Sequence, residues 1–311
     1  MKNELKDEYI DLICSVFNCK KEDVLNIKSL KKGMTNRSYI FTVKAKHYIL
    51  RIPGEGTQQL INRKEEAEVY HTIKKLGICD ELYYINPENG IKISGFVENS
   101  RCCNAEDEED LKECMKKLKT FHNLKLQVNH TFNIYEKIDF YESLWTEKSI
   151  YEDYEDTKKN ILTLKAFIDS CEPVFCLTHI DAIPDNFLFS TETDKNGSRK
   201  EKIQLIDWEY AGMQDPHVDI AMFCIYSLYK EKKKIDRLID IYFEGKCSRK
   251  NRIKIYAYIA LCGLLWSNWC EYKRQLGVEF GEYSIMQYNY ARDYYKLASD
   301  EIKKLELETK K

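Results

Sequence analysis

Leu177-Thr178-His179-Ile180-Asp181-Ala182-Ile183-Pro184-Asp185-Asn186-Phe187-Leu188-Phe189 and, beyond a polar turn, Ile203-Gln204-Leu205-Ile206-Asp207-Trp208-Glu209-Tyr210-Ala211-Gly212 decide how this chain is read. Without the apolar letters the pattern is H-x-D-x-x-P-x-N, a hairpin, and a hydrophobic strand ending in D-x-E. A lone H-x-D reads as a capped turn, and a lone D-x-E as solvated surface. Both in order, at hairpin separation and each hung on an apolar strand, read as chemistry. A carboxylate in such a turn can align a hydroxyl nucleophile and accept its proton, the role assigned to Asp181. A hard cation wants oxygen ligands. Asn186 offers an amide oxygen, Asp207 a carboxylate and Glu209 a second carboxylate. The strands 187–189 and 203–206 are expected to hold these groups close together on rigid edges. His179 reads as a brace of the loop rather than a base, and Asp219 as a buried loop anchor.

Before this island, residues 1–97 read as sheet-rich. Leu5, Tyr9, Leu12, Ile13, Val16 and Phe17 recur at helical spacing. The runs 38–43 and 48–52 are β-branched or aromatic and flank Lys44-Ala45-Lys46-His47, a predicted hairpin closed by Pro53-Gly54. A helix is expected over 66–76, with Gly77 as its cap. Strands are expected over 82–86 and 91–97, around Pro87-Glu88-Asn89-Gly90. From 98 to 311 the pattern is mainly helical: 111–124, 138–151, 161–170 and four helices beyond 217. The expected architecture is a small antiparallel sheet lobe, 1–97, and a larger helical lobe, 98–311.

Composition excludes several classes. With 43% hydrophobic and 32% charged residues over 311 positions, the chain is globular rather than disordered or collagen-like. Lys+Arg 49 against Asp+Glu 51 leaves −2, no field for nucleic acid. The 12 cysteines form no C-x-x-C pair, so they read as reduced thiols of a cytoplasmic protein. Residues 1–8 alternate charge where a signal peptide would be apolar. The longest uncharged stretch, 255–270, is shorter than the ~20 residues of a membrane span and reads as a buried helix.

The Asp181-to-Asn186 spacing, followed by a metal-binding Asp, matches the catalytic loop of phosphoryl-transferring kinases. On "CLTHIDAIPDNFL", "IQLIDWEYAGMQDPHVDIA" and "KKGMTNRSYIF", the chain resembles the small-molecule kinases of protein-kinase-like fold, and most closely the bacterial choline kinases of the LicA type. The resemblance covers roughly residues 30 to 295 and implies an α+β, bilobal protein-kinase-like fold. It also implies ATP and Mg²⁺, Asp181 as catalytic base, and Asn186 and Asp207 as metal ligands. Gly33-Met34-Thr35-Asn36 would cover the ATP phosphates. There is no G-x-G-x-x-G, so backbone N–H groups with Thr35, Asn36 and Ser38 would do that work. Arg51 stands where protein kinases place lysine; its guanidinium can clasp a phosphate and pair with Glu66 or Glu65. Gly95-Phe96-Val97 would form the hinge that reads adenine.

The resemblance puts Trp266, Trp269, Tyr288 and Tyr226 at the choline pocket. A quaternary ammonium has no N–H to donate, so aromatic faces suit it. A helix over 255–272 carries Trp266, Trp269 and Tyr272 three residues apart on one face, which also fits a plain core stripe. Expected partners are ATP and a small alcohol, without nucleic acid or membrane insertion. Ethanolamine, an aminoglycoside met by Glu271, Glu279 and Glu282, and a nucleotide-binding pseudokinase are the alternatives.

Overall fold

The structure, a computed structural model, describes residues 5–30, 36–54, 57–193 and 199–309. Its elements in chain order are α1 (Asp7–Phe17), β1 (Leu25–Leu30), β2 (Asn36–Val43), β3 (Lys46–Pro53), α2 (Arg63–Ile73), β4 (Leu82–Ile85), β5 (Lys92–Gly95) and β6 (Arg101–Cys102). They continue with α3 (Glu108–Asn123), α4 (Ile134–Ser143), α5 (Tyr154–Leu162), α6 (Leu164–Asp169), β7 (Cys176–Thr178), β8 (Phe187–Thr193), β9 (Arg199–Leu205) and β10 (Gly212–Gln214). Four helices close the chain: α7 (His217–Tyr226), α8 (Lys232–Tyr242), α9 (Arg249–Gln275) and α10 (Glu282–Thr309). Among the described residues no helix is long and apolar enough to cross a membrane.

Two compact units result: 1–102 with 186–211, and 103–185 with 212–311. The division at 97/98 omits the return of 186–211 to the sheet-bearing unit. That return has a backbone cause. β6 pairs with β8 through Arg101↔Phe189, and the Leu205 N–H of β9 donates to Ile78 O at 2.9 Å.

In the first unit an antiparallel sheet runs in the order β1-β2-β3-β5-β4. Its pleat sorts β3 into two faces. Tyr48 and Leu50 join Phe41, Val43, Ile93 and Ile13 of α1 in one core. Arg51, one step along, is buried on the opposite side and pairs in register with Ser38. The hairpin closes through two residues only, Lys44 and Ala45, both left-handed at φ 49° and 59°. Such a turn follows the right-handed strand twist, and neither residue announces it as glycine or asparagine would. The sequence reading missed β1, whose side chains are mostly exposed, so the edge strand lacks an apolar alternation. It also placed α2 three residues late. Asn62 Oδ1 accepts the N–H groups of Lys64 and Glu65 at 3.1 and 3.4 Å, and starts the helix there.

The second unit is mainly helical, with a two-stranded sheet of β7 and β10. The predicted helix 138–151 is shorter and earlier, because Asn133 caps α4. Past Ser143 tertiary bonds take over: Trp145 Nε1–H donates to Asn268 O at 3.0 Å, and the Thr146 N–H to Gln275 Oε1 at 2.6 Å. The predicted 161–170 helix is divided into α5 and α6 at Thr163. The long α9 contains the expected 255–272 and is buried over most of its length.

Candidate active site

Each unit holds its own set of groups. In the first, Arg51 Nη2 donates to Glu66 Oε2 at 2.7 Å, which answers whether Glu65 or Glu66 is its partner. Arg63, which the sequence reading overlooked, donates through Nη1 to Glu66 Oε2 at 2.8 Å and to Glu209 Oε2 at 3.1 Å. It stands one helical turn before Glu66, the only hint the sequence held. Arg51 Nη1 lies 3.4 Å from Glu209 and 3.6 Å from Asp207. Burial works against the Arg51 charge, but Glu66, then Glu209 and Asp207, outweigh it and hold the guanidinium above its usual range. Burial likewise opposes the Glu66 charge, yet Arg51, Lys92 and Arg63 pull its acid below the ordinary range.

Asn36 Nδ2 donates to Glu209 Oε2 at 3.0 Å, and Arg63 Nη2 reaches Asn36 Oδ1 at 3.4 Å. The Asn36 side chain is thus tied into the guanidinium network. Ser38 is half-buried on β2. Thr35, with Gly33 and Met34, lies outside the described residues. At the expected hinge, the Gly95 N–H donates to Glu81 O at 2.8 Å and the Phe96 N–H to His47 O at 3.1 Å. Val97 O accepts Ser100 Oγ–H at 2.8 Å.

The hairpin of β8 and β9 brings Asn186 and Asp207 to adjacent strand ends. Phe187 pairs with Leu205, and the Ile206 N–H donates to Asn186 O at 3.0 Å. Asp207 follows directly, at φ 65°. A left-handed backbone is uncommon for a residue with a Cβ and points to a position held for a purpose. Its side chain keeps 36% of its surface open. Even so, desolvation and then the Glu209 charge push its acid up to about 7, against the opposing pull of Arg51.

In the second unit, β7 leads into His179, Ile180 and Asp181. The Asp219 carboxylate, fully buried on α7, accepts the His179 N–H at 3.0 Å and the Ile180 N–H at 2.7 Å. His122 on α3 meets Asp219 Oδ2 through Nε2 at 2.9 Å and the Tyr242 hydroxyl through Nδ1 at 2.8 Å. Asp219 is therefore the anchor of the turn that carries Asp181. Beyond that turn, the Tyr226 hydroxyl donates to Asp185 Oδ2 at 2.8 Å.

From Tyr226 an aromatic series runs through this unit. Tyr226 meets Tyr283 at 6.0 Å between ring centres, Tyr283 meets Phe280 at 6.4 Å, and Phe280 meets Trp269 at 5.0 Å. Trp269 meets Trp266 edge-on at 5.7 Å. Burial, with Cys270 and then the Asp181 charge, holds the Tyr283 phenol well above its usual range. Trp266 Nε1–H is directed at Met222 Sδ, 2.9 Å away. Tyr288 is held apart from these contacts: its ring stacks on Tyr151 at 3.7 Å and its hydroxyl donates to Asp153 at 2.8 Å. Phe280 and Tyr283 escaped the sequence reading, since they lie outside the 255–272 helix that carried the stripe.

An antiparallel sheet that buries an arginine–glutamate pair, and a mainly helical unit with an anchored His-x-Asp turn, make up the protein-kinase-like fold. The protein is a phosphotransferase with an alcohol group as acceptor. The chain belongs to the choline/ethanolamine kinase family, whose model matches residues 27–290. It is similar to the protein LicA of Haemophilus influenzae, 24% identical over 270 residues, 81% of this chain and 75% of that one. The crystal structure of choline kinase LicA from Streptococcus pneumoniae matches with a TM-score of 0.78 and 28% identity, covering 93% of this chain and 98% of that one. LicA in complex with AMP matches at 0.76 and 28%, over 94% and 98%. Use of a nucleotide follows from the family.

Proposed function

We propose that this chain transfers the γ-phosphoryl group of ATP to the hydroxyl of choline, giving phosphocholine. The aromatic series from Tyr226 to Trp266, within reach of the Asp181 charge, is the observation that carries the acceptor. The similarity to LicA choline kinases supports the same reading. In it, Asp181 aligns the hydroxyl and takes its proton. Asp219 holds the turn in shape for that task.

Asn186 and Asp207 would hold Mg²⁺. The donor set fits: both offer oxygen, and both stand on paired strand ends. An Asp207 carboxyl pushed up by burial and by Glu209 is a place where a cation restores the ionised form. When bound, the ion would neutralise charge on the phosphates. Glu209 Oε2 already receives Arg51, Arg63 and Asn36, so in this reading Glu209 belongs to the guanidinium network. Arg51 would present its cation to a phosphate from the floor that Glu66 provides. Gly95 and Val97 would meet adenine through backbone groups, with Ser38 and Thr35 at the phosphates.

Trp266 and Trp269 would face the trimethylammonium group. The acidic alternative is weakened by Glu271, which is buried and taken by Arg274 at 3.1 Å. Release of ADP should be measured with Mg·ATP and choline, ethanolamine or an aminoglycoside panel. Choline is expected to be the best acceptor, and Trp269→Ala to raise its KM by roughly 30-fold, one desolvated cation–π contact of about 2 kcal/mol. Preference for an aminoglycoside overturns the acceptor; nucleotide binding without turnover on any alcohol overturns the transfer.

A further inference from the structure

Lys273 follows Trp269 by one turn of α9 and is only 6% exposed. Its Nζ stands 5.6 Å from the centre of the Trp269 ring. Among the described residues it has neither a carboxylate within ion-pair distance nor a hydrogen-bond partner. Its stem is packed into the protein while the ammonium itself keeps contact with solvent. Desolvation alone draws its ammonium below the usual lysine range. The nearest acid on the helix does not compensate it. Glu271 is engaged by Arg274, so that pair is neutral and Lys273 is a net positive charge at this end of α9.

The rings give the surroundings a direction. The Asp181 charge reaches Tyr283, Tyr283 touches Phe280, Phe280 touches Trp269, and Lys273 lies beyond. On the proposed function, the acceptor hydroxyl meets Asp181 and its ammonium meets the rings. Lys273 then stands behind the end of the acceptor remote from the reacting hydroxyl.

We propose that Lys273 is a specificity-determining residue that admits alcohols bearing one ammonium group and turns away acceptors with a second cation at the far end. Repulsion between like charges falls with separation, so a second cation brought next to Lys273 is penalised more than the first, which lies nearer the hydroxyl. The lysine also occupies part of the electron-rich Trp269 face, which an incoming cation must share. This inference rests on the choline kinase reading.

The test compares ethanolamine with the diamine N-(3-aminopropyl)ethanolamine, whose second ammonium lies beyond the first on a chain that starts from the same primary hydroxyl, alongside choline. Values of kcat and KM are measured for wild type, Lys273→Gln, Lys273→Met and Lys273→Arg, with Tm for each. Lys273→Gln and Lys273→Met should raise kcat/KM for the diamine relative to ethanolamine by about tenfold, the scale of one like charge several ångströms away. Lys273→Arg should keep the wild-type ratio. The methionine variant retains the packed stem if glutamine loosens the helix end. An unchanged ratio in active variants overturns the inference and leaves choline kinase activity standing. So does collapse of both neutral variants, which would make the lysine a structural residue. A wild type that phosphorylates none of the three alcohols instead overturns the functional reading, and this inference with it.

Discussion

Asp219 Oδ1 accepts the backbone N–H of Ile180 at 2.7 Å, and Ile180 is a β-branched residue at φ 70°. Such a backbone costs about 1–3 kcal/mol and persists only where its surroundings impose it. Here two N–H groups converge on one buried carboxylate, and His122 supports the carboxylate from behind. The direction in which Asp181 leaves the loop therefore depends on a side chain of α7.

Asp219→Asn should loosen that turn. The amide keeps the shape but loses the charge-assisted bonds, and its NH₂ faces backbone donors. A stability loss of about 2–4 kcal/mol is expected from denaturant unfolding. In the folded fraction kcat should fall at least ~10-fold, while the KM values stay close to wild type. Wild-type kcat in this variant would refute the anchoring role.

Asp207 predicts opposite pH effects on stability and on binding. Its folded acid lies at about 7, above the ordinary 3.8, so between these values the folded state holds a proton the unfolded chain has lost. Its contribution to stability is fully present below about pH 4 and is lost as the pH rises to 7. Asp207→Asn removes that liability, so the nucleotide-free variant should melt higher than wild type at pH 8, with the gap closing on acidification. Mg·ATP binding needs the carboxylate and should weaken in wild type by about tenfold per unit below pH 7. The asparagine variant should bind weakly at every pH. A titration series by calorimetry checks both, and a wild type whose Mg·ATP affinity is flat from pH 5 to 8 would remove Asp207 from the metal set.

Glu66→Ala should be costly. It leaves the buried Arg51 and Arg63 with Glu209 as their shared carboxylate at 3.4 and 3.1 Å. Removing one partner of a buried ion pair costs about 3–5 kcal/mol. Glu66→Gln keeps the volume and should lose less. Thermal melts of the two variants rank them, and equal Tm values would show that the charge contributes nothing.

Gly263→Ala tests how α9 meets α10. A Cβ at this position would stand 2.7 Å from Gln287 O and 2.8 Å from Ala291 N, both backbone atoms that cannot rotate aside. The helices must separate, at a cost of about 1–3 kcal/mol from overpacking. Because α9 bears Trp266 and Trp269, the choline KM should rise with little change in the ATP KM. A variant of wild-type Tm would mean that the crossing yields more easily than its geometry implies.

The local chemistry was legible because spacing along a strand or turn is set by covalent geometry. H-x-D-x-x-P-x-N and D-x-E adjoin apolar strands whose two-residue period and hairpin pairing follow from the letters themselves, so Asn186 and Asp207 were readable as neighbours. Arg51 one step from Leu50 declared its own face of the sheet for the same reason. Element ends were less legible. Asn62 and Asn133 are capping residues visible in the sequence, yet the apolar periodicity chosen to mark the helices begins after them.

Contacts that join distant segments were decided by tertiary structure. Glu66 rather than Glu65 meets Arg51, because the phase of α2 on the sheet turns only one of two adjacent carboxylates inward. Arg63 enters the same network from a position ahead of the helix expected over 66–76. Tyr288 turned to Tyr151 and Asp153, while Phe280 and Tyr283 joined Trp269, because helix packing rather than spacing selects which rings touch. Lys273 comes to lie beside Trp269 because α9 runs on to Gln275. Covalent connectivity sets which groups lie within a few residues of one another and what they can do; the pairing of Arg51 with Glu66 and the burial and acidity of Arg51, Asp207 and Lys273 came only with the folded chain, since desolvation depends on neighbours from everywhere else in it.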